Sequence, residues 1–287
     1  MTDAERLMQG FVHLLAQSPF RIAPERVDEL VREMQGEPWP LDINAGRANF
    51  TAYPLEKKIT GTYAAMLSIW AVAAAVLAMM NLVRAAAAAG KSTIVIEPGG
   101  PGSEVVEFKH AAVALIRDSA ASWSEDLPAP YHAAPLSTPD GLVTNLFLAA
   151  ASVVVLHECG HIVQKHLPDS PQAHQQEFEA DAWAVDWILA KVMDAKEREF
   201  RTLAVCVAFI WIGLIDDVRR GGTTHPHAAQ RLGQAFERFS GLTDESDALE
   251  IGSYMLKAFF DPTTDLPQAD CAREGFVDRL IDYVRSR

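Results

Sequence analysis

Basic residues are scarce in this chain of 287 residues: 25 lysines and arginines stand against 38 aspartates and glutamates, a net charge of −13. That excludes nucleic acid as the main partner, because phosphate binding needs a basic footprint. Cysteine is scarcer still, with three scattered residues, Cys159, Cys206 and Cys271. They are too few and too far apart for a disulfide framework, and the odd number fits a reducing compartment. Charge of either sign accounts for only 22% of the chain, and 49% is apolar. This composition excludes a mostly disordered protein and supplies core enough for one large domain or two small ones. There is no internal repeat. The opening Met1-Thr2-Asp3-Ala4-Glu5-Arg6 is acidic and lacks a long apolar run. No secretory leader is therefore expected, and the expected location is the cytoplasm.

One stretch has no charge at all. Ile59 to Val83 is 25 residues long, bounded by Lys58 and Arg84, and is long enough to cross a bilayer. Its composition points the other way. Most of it is alanine and methionine, and Ser68 and Asn81 oppose insertion. Ile69, Val72, Val76, Met80 and Val83 form one helical seam beside a face of small residues. This reads as a buried core helix, with a span of the inner membrane as the alternative. Gly141 to Leu156 and Leu203 to Ile215 are shorter apolar runs and read as core helices.

The chain organises as mainly α with a small β-hairpin. Residues 1–55 read as two N-terminal helices, broken near Ser18-Pro19 and Ala23-Pro24, followed by a turn-rich connector. The hairpin is expected from Thr93-Ile94-Val95-Ile96 and Glu104-Val105-Val106-Glu107-Phe108 around a glycine-rich turn. Residues 56–240 read as the main domain. Residues 241–287 form an acidic helical extension packed on it.

The chemistry is concentrated in His157-Glu158-Cys159-Gly160-His161, a match to H-E-x-x-H. Residues four apart share a helical face, so both imidazoles can reach one zinc ion, and Glu158 can reach a water bound to it. A catalytic zinc site needs a third protein ligand and an open position. Sixteen residues after His161, Glu177 can supply the third ligand. Asp181, on the same face, can accept a hydrogen bond from a liganding histidine. Glu179 is the rival ligand, and the periodicity favours Glu177. Cys159 turns off this face and reads as packing. His166 and His174 read as loop histidines near the site, and His227 as exposed.

These residues resemble the gluzincin metallopeptidases, in particular the class that includes CAAX prenyl-protein endopeptidases and bacterial membrane heat-shock proteases. His225-Pro226 followed by Arg231 resembles a further element of that class. The resemblance implies that His225 stabilises the tetrahedral intermediate and that Arg231 braces the site. Chain length, motif position and the stretch from Glu177 to Trp187 are also similar to the Lit-type phage-exclusion peptidases. That similarity implies a zincin-like core, a Zn2+ cofactor, and a protein substrate such as elongation factor Tu. The competing readings are an integral membrane zinc protease and a non-catalytic helical interaction protein. A base and an open coordination position disfavour the last, since a structural site needs neither.

Overall fold

The computed structural model describes residues 1–91, 94–96, 99–167, 170–219, 225–262 and 269–286. It opens with α1 (Asp3–Met8), α2 (Val12–Ile22) and α3 (Val27–Glu33). Pro19 does not break α2. Proline leaves the carbonyl four residues back without its helical donor, and here the Ser18 hydroxyl donates to that carbonyl, Leu15 O, at 2.8 Å.

The connector holds the sheet. Leu41–Asn44 (β1), Phe50–Tyr53 (β2) and Lys58–Thr62 (β3) pair in the order β1-β3-β2, with β1 parallel and β2 antiparallel to β3. Gly61 faces Phe50 in register. A Cβ at Gly61 would come within 2.5 Å of the Phe50 ring, so the missing side chain is what lets that ring lie across β3.

The hairpin expected over residues 93–108 is a correction. Ser103–Arg117 is a helix, α5, and Ile94–Ile96 carry no strand; Thr93 lies outside the described residues. The buried residues of α5 are Val105, Phe108, Ala112, Leu115 and Ile116. Their spacing of three and four is helical, and the alternation around Val105 and Val106 was too short to tell one period from the other.

The long helix α4 (Tyr63–Ala88) starts four residues inside the uncharged run, because Ile59 to Thr62 belong to β3. It is capped by Thr62, whose side chain accepts from Ala65 N, and is buried on every side from Ala64 to Val76. Not only the bulky seam but also the alanine face is covered, by α5 and by helices farther along the chain. Ser68, polar inside this helix, is satisfied: it accepts from Trp211 Nε1 at 2.8 Å and donates to Ala65 O. Beyond Met79 the helix emerges, and Asn81 is exposed.

The remaining helices are α6 (Pro139–Val163), α7 (Ala173–Leu189), α8 (Ala195–Arg219), α9 (Ala228–Phe236), α10 (Asp247–Phe260) and α11 (Ala272–Arg285). Among the described residues, α4 and α6 have the length and hydropathy to cross a membrane, and 67% and 83% of their most apolar windows are buried in the protein. α6 lies against α2, α4, α7 and α8, and α10 and α11 pack on each other and on α8 and α9. One apolar core runs through these elements.

Candidate metal centre

Every residue of α6 from Ala149 to Gly160 is buried, so the helix carries His157 and Glu158 into the interior before it ends at Val163. α7 returns antiparallel: His161 meets Glu177, and His157, one turn back along α6, meets Asp181, one turn on along α7. Gly160 makes this approach possible. A Cβ there would stand 3.1 Å from Ala180 Cα and 3.3 Å from Ala180 O. Cys159 is fully buried, with burial pushing its thiol up, as its place off the ligand face requires.

Three of the expected ligands converge. His157 Nε2 and His161 Nε2 are 3.0 Å apart, and each lies 3.4 Å from a Glu177 carboxylate oxygen. Ligand atoms about 2.0–2.1 Å from one tetrahedral ion stand about 3.3–3.4 Å from each other, so this donor set fits a single zinc-sized cation. The group His157, His161 and Glu177 can hold a metal ion, its ligand atoms all lying within 4.8 Å of one another. Glu179, the rival ligand, points to His166 instead. The triad lines a cleft of about 960 Å³, and Glu158 lines the same cleft.

Residues of α7, of α9 and of the segment leading into α9 surround the triad. Arg231 grips Asp181 through two hydrogen bonds, Nε to Oδ2 at 2.7 Å and Nη2 to Oδ1 at 2.8 Å, and its Nη1 lies 3.2 Å from Glu177. Asp181 Oδ1 in turn lies 2.8 Å from His157 Nδ1. His225 has its Nε2 3.4 Å from Glu177 Oε1, and its side chain is 55% exposed. His227 is half-buried rather than exposed: its Nδ1 accepts from Ala229 N and caps α9.

The electrostatics favour positive charge at this point. Burial works against an imidazolium at His157, yet Asp181 and Glu177 outweigh it and push the ring up to about 10. Burial raises the Glu177 carboxyl, but hydrogen bonds from His157 and His161 and the charge of Arg231 hold it well below the carboxylate range. Asp181 is likewise lowered against its burial by Arg231 and His157. A bound cation would displace the proton from His157 and satisfy the same carboxylates.

Three residues near the site were not assigned to it from sequence. Asp216 accepts from Ala228 N at 2.7 Å and anchors the start of α9, with burial raising its carboxyl. His166, read as a loop histidine, is buried, and its Nδ1 lies 2.8 Å from His161 Nδ1. Burial and the neighbouring His161 hold the His166 ring below its ordinary value, hence neutral at pH 7. Glu179 sits 3.2 Å from the other nitrogen of His166. His166 stands five residues after His161, beyond Lys165 in the left-handed conformation (φ +57°), a turn that no glycine marks in the sequence.

Known proteins bear on this geometry. The Peptidase U49 family model matches residues 59–252. A stretch of 115 residues is 30% identical to the cell death peptidase of Escherichia coli (strain K12). That match spans 39% of this chain and 39% of the relative, less than half the length of either. No solved structure matches. The family match takes in the whole of α6, α7 and α9, which carry the triad and Arg231, and the chain therefore belongs to the Peptidase U49 family, the Lit-type cell death peptidases.

Proposed function

We propose that this protein is a zinc-dependent endopeptidase of the Lit type, cleaving a host protein substrate in the cytoplasm. The observation that carries this reading is the convergence of His157, His161 and Glu177 on one point of a cleft that also contains Glu158. In this reading the three side chains hold the ion and leave a coordination position open. Zinc, when bound there, would lower the pKa of a coordinated water toward about 7 and polarise the scissile carbonyl.

The chain's own residues supply the rest. Glu158 accepts a proton from the attacking water and delivers it to the leaving nitrogen. His225, at the exposed rim beside Glu177, donates to the carbonyl oxygen as negative charge develops on it. Asp181 and Arg231 fix the tautomer and angle of His157. β2 offers an edge on which a substrate can be aligned. Among the described residues β2 pairs with β3 alone, and every residue from Asn49 to Glu56 lines the cleft. An extended peptide laid along that edge would complete the sheet and present its backbone to the triad. The catalytic unit is accordingly drawn to include the sheet, with α10 and α11 packed against it.

The relative's name, cell death peptidase, supports a host protein as the target, and elongation factor Tu is the substrate that the Lit-type resemblance implies. A membrane-anchored form of the same chemistry is the second reading, favoured by the length and hydropathy of α4 and α6; resistance to a carbonate wash would select it.

Metal analysis of the purified protein should find close to one zinc per chain. Glu158→Gln should keep that zinc and slow cleavage by about 10²–10⁴-fold, the usual worth of a general base. New protein N-termini, compared between cells making the native protein and the variant, identify the substrate. A metal-free native protein would sink the reading, and near-native cleavage by the variant would remove Glu158 from its role.

A further inference from the structure

The end of α6 has an unusual wiring. His166 N–H bonds His161 O at 2.9 Å, and Lys165 N–H bonds Ile162 O at 3.2 Å, with Lys165 left-handed. This is the Schellman helix stop, which brings the third residue from the helix end against the second residue beyond the cap and usually packs an apolar pair there. Here both positions are histidines, and their Nδ1 atoms meet at 2.8 Å.

The proton positions follow from the site. With Nε2 of His161 turned to the triad as a lone-pair donor, its only hydrogen lies on Nδ1, which must donate to His166 Nδ1. His166 then carries its own hydrogen on Nε2 and donates it to Glu179 Oε2 at 3.2 Å. Glu179 is itself steadied: Gln175 Nε2 donates to its other oxygen at 2.9 Å, and Gln164 donates to its backbone carbonyl at 3.2 Å.

We propose that His166 is a positioning residue, which accepts the Nδ1 hydrogen of His161, passes the alignment on to Glu179, and so holds the Nε2 of His161 on the metal. It touches no reacting atom and acts through His161. The proposal rests on His161 being a metal ligand, and its test keeps the two apart.

Zinc affinity of the whole chain, measured by chelator competition, and the visible spectrum of the cobalt-substituted protein are compared for the native protein, His166→Phe and His166→Asn. Phenylalanine fills the position with the apolar contact that the helix stop ordinarily carries, but accepts no hydrogen bond. Asparagine can place its Oδ1 near the former Nδ1 and accept again. His166→Phe should bind zinc about 10- to 100-fold more weakly, the usual loss when a ligand's hydrogen-bond partner is removed, and should shift the cobalt bands. His166→Asn should recover most of the affinity. The thermal midpoints of the metal-free variants should match the native one. If phenylalanine binds zinc like the native protein with unchanged bands, or if phenylalanine and asparagine fail alike, the proposal falls while the metal site stands. If the native protein binds no zinc, the site itself falls.

Discussion

The two histidines of the motif sit one helical turn apart and are held in opposite ways. His157 is backed by Asp181, and Asp181 by a two-point grip from Arg231, all three nearly sealed from water. His161 is backed by a neutral imidazole, His166, and the line ends at Glu179, whose side chain is 44% exposed. The inner arm draws on three helices, α6, α7 and α9. The outer arm uses the end of α6 and one turn of α7. Buried charges must be paired to exist at all, so the inner arm has to be part of the fold as well as of the site. A neutral pair near the surface carries no such obligation, and the outer arm can adjust a ligand without supporting the protein.

The largest expected effect breaks the inner arm. Arg231→Leu leaves Asp181 and Glu177 buried without the guanidinium they share, and the one charge of His157 cannot neutralise both. Unpairing a buried ion pair costs about 3–5 kcal/mol, and denaturant unfolding of the metal-free protein should show a loss of that size. Zinc affinity should fall with it. Lysine should not restore the native value, because it cannot make the two-point contact with Asp181. A loss below about 1 kcal/mol, the size expected of a surface pair, would mean that the arms do not differ as described.

The inner arm was legible in the sequence because helical periodicity is reliable over four residues. His157 and His161, then Glu177 and Asp181, each follow from the i, i+4 rule. Arg231 was reached only through family resemblance, since no local pattern links α9 to α7. The outer arm depends on how α6 ends. Lys165 adopts a backbone conformation that glycine would have advertised, so His166 read as a residue in a loop. The mixed sheet was hidden for a related reason. Its strands are four or five residues long, and Gly46, Pro40 and Pro54 around them look like connector, while the parallel partner of β1 lies beyond β2. The first turns of α5 look like a strand because both periods fit the five residues from Glu104 to Phe108. The core helices α4 and α6 were visible as apolar runs, but their burial on every face depends on neighbours that hydropathy alone does not reveal.

A smaller change acts on both arms at once. Gly160 lies at the crossing of α6 and α7, and a methyl group there would press on the backbone of Ala180. Gly160→Ala gains about 1 kcal/mol of helix propensity and meets an overpacking cost of about 1–3 kcal/mol, so the protein should be destabilised by no more than about 2 kcal/mol. The shift moves Glu177, Asp181 and Glu179 together, because all three are on α7. Zinc affinity should fall in the native background and also in His166→Phe. Full additivity of the two changes would indicate that Gly160 acts through the inner arm alone, and a smaller combined loss would place part of its effect in the outer arm.

The smallest effect is expected at the far end of the outer arm. Glu179→Gln removes a charge but keeps an oxygen that can accept from His166 Nε2, and the site is half open to water. Interactions of exposed charges contribute about 0.2–1 kcal/mol, which corresponds to about 1.4- to 5-fold in the zinc dissociation constant. The metal-free protein should keep its stability. Chelator competition on Glu179→Gln, run beside His166→Phe, decides how far alignment travels along the chain of hydrogen bonds. A loss equal to that of His166→Phe would mean that the Glu179 charge, rather than the His166 acceptor, sets the angle of His161. The outer arm would then be an ionic arm like the inner one, differing from it only in depth.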